Sequence, residues 1–299
     1  MNDSFHEPSV AERHFHVVVG GQSIECRTIG LPTGTQSGAG AQQSGDPGPA
    51  AKTGPALVFL HEGLGCVRMW RDFPDRVCAA TGLPGLIYSR RGYGSSSPCT
   101  EPRTVRFMHD EADQVLPALL DELGIVRPIL IGHSDGASIA LIHAGTFPQA
   151  DLAIAVLAPH LFVEEVCTTE IAAAAARYET TRLREQLARY HADVDGAFRH
   201  WVDIWLSKPF SEWNIEADVE KIRCPVLAIQ GEDDQYGTMR QIERIGELQP
   251  SARLVRLRDC RHSPHLDQPE AVLEAITSFC RAVIDDEPVG ARQAGRADP

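Results

Sequence analysis

The chain has 299 residues, 43% hydrophobic and 23% charged, with 28 basic and 41 acidic side chains and a formal charge of −13. That length buries a large core in one or two domains, and the composition is that of an ordinary globular protein. The acidic balance, with no basic cluster to offset it, argues against nucleic acid or anionic lipid as a partner and points to a small molecule.

Met1 to Glu7 lacks the basic region and apolar run of a signal peptide, and no later apolar run is long enough to span a membrane. The cytoplasm is therefore the default compartment, and no membrane partner is expected. Residues 14–19 and 23–28 flank Gly20-Gly21, a hairpin signal. Residues 32–54 are rich in Gly, Pro, Ser, Ala and Gln without apolar periodicity, and read as a disordered insertion. Residues 57–60 predict a buried strand, 67–79 a helix with Trp70, Phe73 and Val77 on one face, and 86–88 a strand. Residues 104–123 predict an amphipathic helix carrying Met108, Ala112, Val115, Leu116, Leu119 and Leu123. A strand over 128–132 leads into a helix over 137–147. Three more strands are expected at 152–158, 225–230 and 253–257, with helices at 238–248 and 268–284. Apolar strands alternating with helices imply an α/β fold with a mostly parallel, doubly wound sheet.

Residues 162–221 interrupt that rhythm. Glu170 to Tyr190 is strongly helical, and Ala197 to Leu206 carries Phe198, Trp201, Ile204 and Trp205. A helical block between two strands of one sheet would sit over the carboxyl edge as a lid. The expected organisation is a core over 1–161, a lid over 162–221, a second core part over 222–284 and a disordered tail over 285–299. The eight cysteines form no CxxC pair and read as reduced thiols, mostly in the core, Cys66 included.

The strongest motif is Gly132-His133-Ser134-Asp135-Gly136. Strand before and helix after make it a nucleophile elbow, whose glycines let strand and helix approach closely. Asp135 could attack in principle. Centring the turn on Ser134 puts glycines at both flanking positions, and centring it on Asp135 does not. A serine needs a base, and the base needs an orienting carboxylate. Glu232, Asp233 and Asp234 follow one late strand, while His262 and His265 follow the next. Both groups lie at strand ends, where open α/β sheets place their sites.

From about residue 55 to 284 the chain resembles the α/β-hydrolase superfamily. His61-Glu62-Gly63-Leu64-Gly65, Ser89 to Ser96, the elbow and the two late blocks carry the likeness. The resemblance implies an α/β-hydrolase fold with an inserted helical lid. It implies Ser134 as nucleophile, Asp234 as acid (Asp233 as runner-up) and His262 as base, where the family usually has Gly-His and this chain has Arg261-His262. It also implies an oxyanion hole from the Gly63 and Asp135 N–H groups. His265 is expected to start or cap the last helix, two histidines without a third ligand being a weak zinc signal. His61 is expected to brace its loop, and Arg90 and Arg91 theirs.

Glu62, where the family commonly has Gly, and Asp135 put two acids beside an oxyanion site. They are expected to point away and pair with Arg90, Arg91 or Arg68. The competing reading is that one grips a cationic or hydroxyl-bearing substrate. Glu62, His61 and Trp201 are thus candidate substrate contacts. The expected function is a serine hydrolase of a small carboxylic ester or lactone, through an acyl-enzyme on Ser134. A C–C bond or thioester hydrolase and a non-catalytic ligand-binding member of the fold are the alternatives. No cofactor or metal is expected, and a homodimer is compatible with the sequence.

Overall fold

Among the described residues eight strands pair into one sheet. The structure, a computed structural model, describes residues 12–31 and 53–286. The strands are β1 (Glu12–Val19), β2 (Gln22–Ile29), β3 (Leu57–Leu60), β4 (Gly85–Tyr88), β5 (Ile129–His133), β6 (Ala153–Leu157), β7 (Val226–Gly231) and β8 (Arg253–Leu257). Their spatial order is β1-β2-β4-β3-β5-β6-β7-β8, with β2 antiparallel to β1 and β4 and all other pairs parallel. β1 and β2 turn at Gly20 and Gly21, both at positive φ, so the hairpin forms where the glycines allow it.

The helices are α1 (Phe73–Thr81), α2 (Phe107–Asp110), α3 (Leu116–Glu122), α4 (Asp135–Thr146), α5 (Glu165–Thr180), α6 (Leu183–Leu187), α7 (Val194–Trp205), α8 (Glu216–Val219), α9 (Arg240–Leu248), α10 (Pro264–Asp267) and α11 (Pro269–Asp285). Successive strand residues face opposite ways, so both faces need cover. Leu57 and Phe59 meet α1 and α11 through Val77, Ile276 and Phe279. Val58 and Leu60 belong to the other core, with Leu116, Leu119, Ile139 and Ile142. Cutting Ile276 back to Ala would cost roughly 2–5 kcal/mol.

Several boundaries differ from expectation. The helix expected over 67–79 is a short 3₁₀ turn at Val67–Trp70, then a break at Arg71 (φ 54°), then α1. Pro74 lacks an N–H and fits only in a first turn. The helix expected over 104–123 contains a π-helical stretch, Glu111–Val115, between α2 and α3. Pro117 cannot donate to the turn before it, and the widened turn absorbs the missing bond. The helix expected over Glu170 to Tyr190 is split between α5 and α6. There the Thr180 and Thr181 hydroxyls donate to the Ala176 and Arg177 carbonyls (2.7 and 2.6 Å), and Thr181 turns extended.

The insertion expected at 32–54 lies outside the described residues up to 52. Thr53 is ordered, paired with Ile125 and bonded to the Gly124 carbonyl at 2.9 Å. Of the expected tail at 285–299, Asp285 closes α11 and residues from 287 lie outside the described residues. Between β6 and β7 run α5 to α8 and a 3₁₀ turn, Lys208–Glu212. Asp193 caps α7 by accepting from the Gly196 N–H at 2.9 Å. Buried His191 fastens this block to the body. It accepts from the Gly94 N–H and donates to the Leu64 carbonyl, each at 3.0 Å. Among the described residues no helix is long and apolar enough to cross a membrane.

Candidate active site

β5 delivers its chain to a turn too tight for ordinary side chains. A Cβ at Gly132 would sit 2.6 Å from the Ala137 backbone, and one at Gly136 would overlap the Leu60 carbonyl. Between them Ser134 adopts φ 53°, ψ −119°, a conformation costing about 1–3 kcal/mol for a non-glycine residue. The surroundings hold it there. The Ser134 N–H donates to the Leu157 carbonyl at 2.9 Å, and Ser138 Oγ, one turn on, donates to the His160 carbonyl at 2.7 Å. The Ser134 side chain then stands at the N-terminus of α4, where the helix favours negative charge.

Two late strand ends bring the partners. His262 Nε2 lies 2.9 Å from Ser134 Oγ, and its Nδ1 lies 2.8 and 2.9 Å from the two Asp234 oxygens. With Nδ1–H donating to the carboxylate, Nε2 is free to accept the serine proton. The Asp234 side chain is fully buried and accepts three further bonds, from the Tyr236 N–H (2.8 Å), the Gly237 N–H (3.3 Å) and Gln230 Nε2 (2.8 Å). Burial alone would raise its pKa. The His262 charge and hydrogen bonds and the Tyr236 N–H overcome this, so it stays below the usual carboxylate range. Ser134, Asp234 and His262 therefore meet in series. Glu232 and Asp233, both exposed, make no hydrogen bond to His262.

The loop after β3 is fixed from behind. The Glu62 carbonyl accepts from His61 Nδ1 (2.7 Å) and from Arg90 Nη2 (2.8 Å). In a trans peptide the N–H opposes the C=O, so these bonds aim the Gly63 N–H away from Arg90. Gly63 and Asp135 both line the pocket, and the Asp135 amide opens α4 without an intrahelical acceptor. Fully buried His61 uses both ring nitrogens, its Nε2 accepting from the Arg90 N–H at 3.0 Å. It braces the loop and does not line the pocket, which corrects its place among the candidate substrate contacts.

The two unusual acids part ways. Asp135 pairs as expected: Arg90 Nη2 is 3.5 Å away, and Trp205 Nε1 donates at 3.2 Å. Burial raises its pKa although Arg90 opposes this. Among the described residues Glu62 pairs with no arginine. Its Oε2 lies 3.4 Å from His133 Nδ1, while His133 Nε2 donates to the His262 carbonyl at 2.7 Å. The Glu62 carboxylate is held low despite the opposing effect of burial, because His133 sits beside it. Burial pulls His133 down, and the Glu62 carboxylate more than offsets it, so His133 titrates above its ordinary value. His265 also departs from expectation. It caps nothing, lying buried in α10 against Trp70 (4.9 Å), Phe73 (5.4 Å) and His133 (4.9 Å between centroids).

A pocket of about 130 Å³ opens beside Ser134. Glu62, Gly63 and Leu64 form one wall, while Cys167 and Ile171 of α5 and Trp201 and Trp205 of α7 close it from above. The Trp201 indole packs so tightly on Gly63 that a Cβ there would overlap it. Burial pushes the Cys167 thiol well up, so it lines the pocket as a thiol and is no rival nucleophile. The Cys66 thiol, pushed up to about 12 by burial, is equally inert. His160 and Tyr236 complete the wall, and neither was singled out in the sequence. Burial holds His160 neutral, down to about 3. Its place just past β6, at a carboxyl strand end, was the available signal. Among the described residues no group of three or more His, Cys, Asp or Glu could hold a metal ion.

A family model described as "Alpha/beta hydrolase family" matches residues 57–275. The sn-1-specific diacylglycerol lipase ABHD11 of Mus musculus is 23% identical over 255 residues, 75% of this chain and 80% of that protein. A carboxylesterase structure from the thaumarchaeon Nitrososphaera gargenis superposes with a TM-score of 0.69 at 20% identity, covering 91% of this chain and all of that one. The enol-lactonase of Burkholderia xenovorans LB400 gives 0.63 at 19% identity, covering 89% and 99%.

Proposed function

The chain belongs to the alpha/beta hydrolase family, and from that premise we propose that it is a serine hydrolase of a small carboxylic ester or lactone. The observation carrying this reading is the unbroken series of hydrogen bonds from Asp234 through His262 to Ser134 Oγ. Ser134 attacks the carbonyl carbon as His262 Nε2 takes its proton. Asp234 keeps the imidazole in that tautomer and stabilises its charged form. The Gly63 and Asp135 N–H groups receive the developing oxyanion, an effect worth several kcal/mol in a water-excluded site. The tetrahedral intermediate collapses, His262 returns the proton to the leaving oxygen, and the acyl group stays on Ser134. His262 then takes a proton from water, whose oxygen attacks the acyl carbon; as the Ser134 Oγ–acyl bond breaks and the acid leaves, His262 returns that proton to Ser134 Oγ.

The relatives named as lipase, carboxylesterase and lactonase support a reaction at an acyl carbon. The block at 162–221 serves as the lid, since α5 and α7 supply the ceiling of the pocket. A volume near 130 Å³ suits an acyl part of about one ring, close to the roughly 150 Å³ cavity that takes up benzene elsewhere. Ser134→Ala tests the reading. Steady-state assays on short esters and lactones should show a loss of several orders of magnitude with the fold intact by circular dichroism. Near-native turnover by that variant would overturn the mechanism.

A further inference from the structure

The pocket is built asymmetrically in charge. Its lining holds two carboxylates, two tryptophans and a tyrosine, and neither lysine nor arginine. Asp135 is spent on the protein itself, with Arg90 and the Trp205 N–H as partners and a side chain only 1% exposed. Glu62 is not. Its side chain is 24% exposed, and its only ion pair among the described residues is with His133, whose side chain is 1% exposed. The 3.4 Å approach of His133 is not aligned as a hydrogen bond, which leaves His133 Nδ1 without a bonded partner. Glu62 thus lines the cavity next to Gly63, the residue offered to the oxyanion, with about a quarter of its side chain still exposed.

We infer that the substrate is a small ester carrying an aliphatic ammonium group on the carbon next to its scissile carbonyl, held by the Glu62 carboxylate and the aromatic walls of Trp201, Trp205 and Tyr236. This rests on the hydrolase reading and deepens it. A desolvated cation needs an opposite charge and polarisable surroundings. A carboxylate supplies the first, and aromatic faces supply the second. A neutral acyl chain of the same shape gains nothing from Glu62 and leaves its carboxylate dehydrated, which disfavours it. Glu62 stands beside the oxyanion site, so the cation it holds sits close to the carbonyl, and its positive charge also favours the negative transition state.

The test compares two 4-nitrophenyl esters of equal shape, trimethylammonioacetate and 3,3-dimethylbutanoate, each rate divided by its rate in buffer alone. The cationic-to-neutral ratio of kcat/KM should exceed one in the native protein and fall about tenfold in Glu62→Gln. An unchanged ratio, or native preference for the neutral ester, would overturn this inference and leave the hydrolase reading standing. Turnover of neither ester would sink both. Should Glu62→Gln fail to fold, the native protein supplies its own readout. Tetramethylammonium chloride should inhibit neutral-ester hydrolysis at a concentration about tenfold below that of tert-butanol, at matched ionic strength. Equal inhibition would overturn the inference.

Discussion

Two carboxylate–imidazole pairs lie side by side in this site, their ring centroids 5.3 Å apart, and they differ in what the far nitrogen meets. In Asp234–His262 both carboxylate oxygens approach Nδ1 and the carboxylate has no exposure. The far nitrogen meets a hydroxyl, so it must accept. In Glu62–His133 one oxygen approaches at 3.4 Å, and the far nitrogen meets the His262 carbonyl, so it must donate. The same two chemical groups thus take opposite tasks. An imidazole that already donates at Nε2 is no base toward a substrate, and His133 instead ties the His262 loop to the elbow.

The largest effect should separate the pairs outright. Asp234→Asn leaves the geometry and removes the charge that orders His262. We expect kcat to drop about 10⁴-fold, the scale known for neutralising such an aspartate. His133→Phe keeps the ring volume and loses the donor to the His262 carbonyl together with the ring nitrogen beside Glu62. Misplacing the base slightly should cost about ten- to a hundredfold in kcat, with KM little changed. If pre-steady-state and steady-state assays find His133→Phe as damaging as Asp234→Asn, the two pairs are not different in kind.

The smallest effect is on stability. His265 is stacked beside His133, and burial keeps it neutral down to about 3. The unfolded chain binds that proton below about pH 6.5. The folded state does not, so stability is full above that value and falls as pH drops from 6.5 toward 3. His265→Phe, retaining the contacts with Trp70 and Phe73, should flatten that limb in urea midpoints measured across pH 4–7. An unchanged slope would assign the acid sensitivity to other groups, His160 first among them.

Much of this was legible in the sequence because it is locally determined. Gly20-Gly21, the elbow glycines and the apolar runs of β3, β5, β6 and β7 each state their geometry within a few residues. The serine, acid and histidine were found at strand ends, as open sheets require. What escaped depends on contacts between distant segments. Glu62 was expected to choose an arginine by charge, but the Arg90 guanidinium turned to main-chain carbonyls and Asp135, leaving His133 nearest. Cys167, Ile171 and Tyr236 reach the pocket from elements whose own sequence carries no mark of it. The break at Arg71 and the widened turn before Pro117 were hinted at only by prolines inside apparently continuous periodicity.

The account turns on Ser134 as the attacking group. A fluorophosphonate probe incubated with the native protein, followed by proteolysis and mass analysis of the peptides, tests this directly. The account predicts one adduct, on the peptide carrying Ser134, absent in Ser134→Ala and strongly slowed in Asp234→Asn. An adduct on any other residue, or equal labelling of Ser134→Ala, would contradict it.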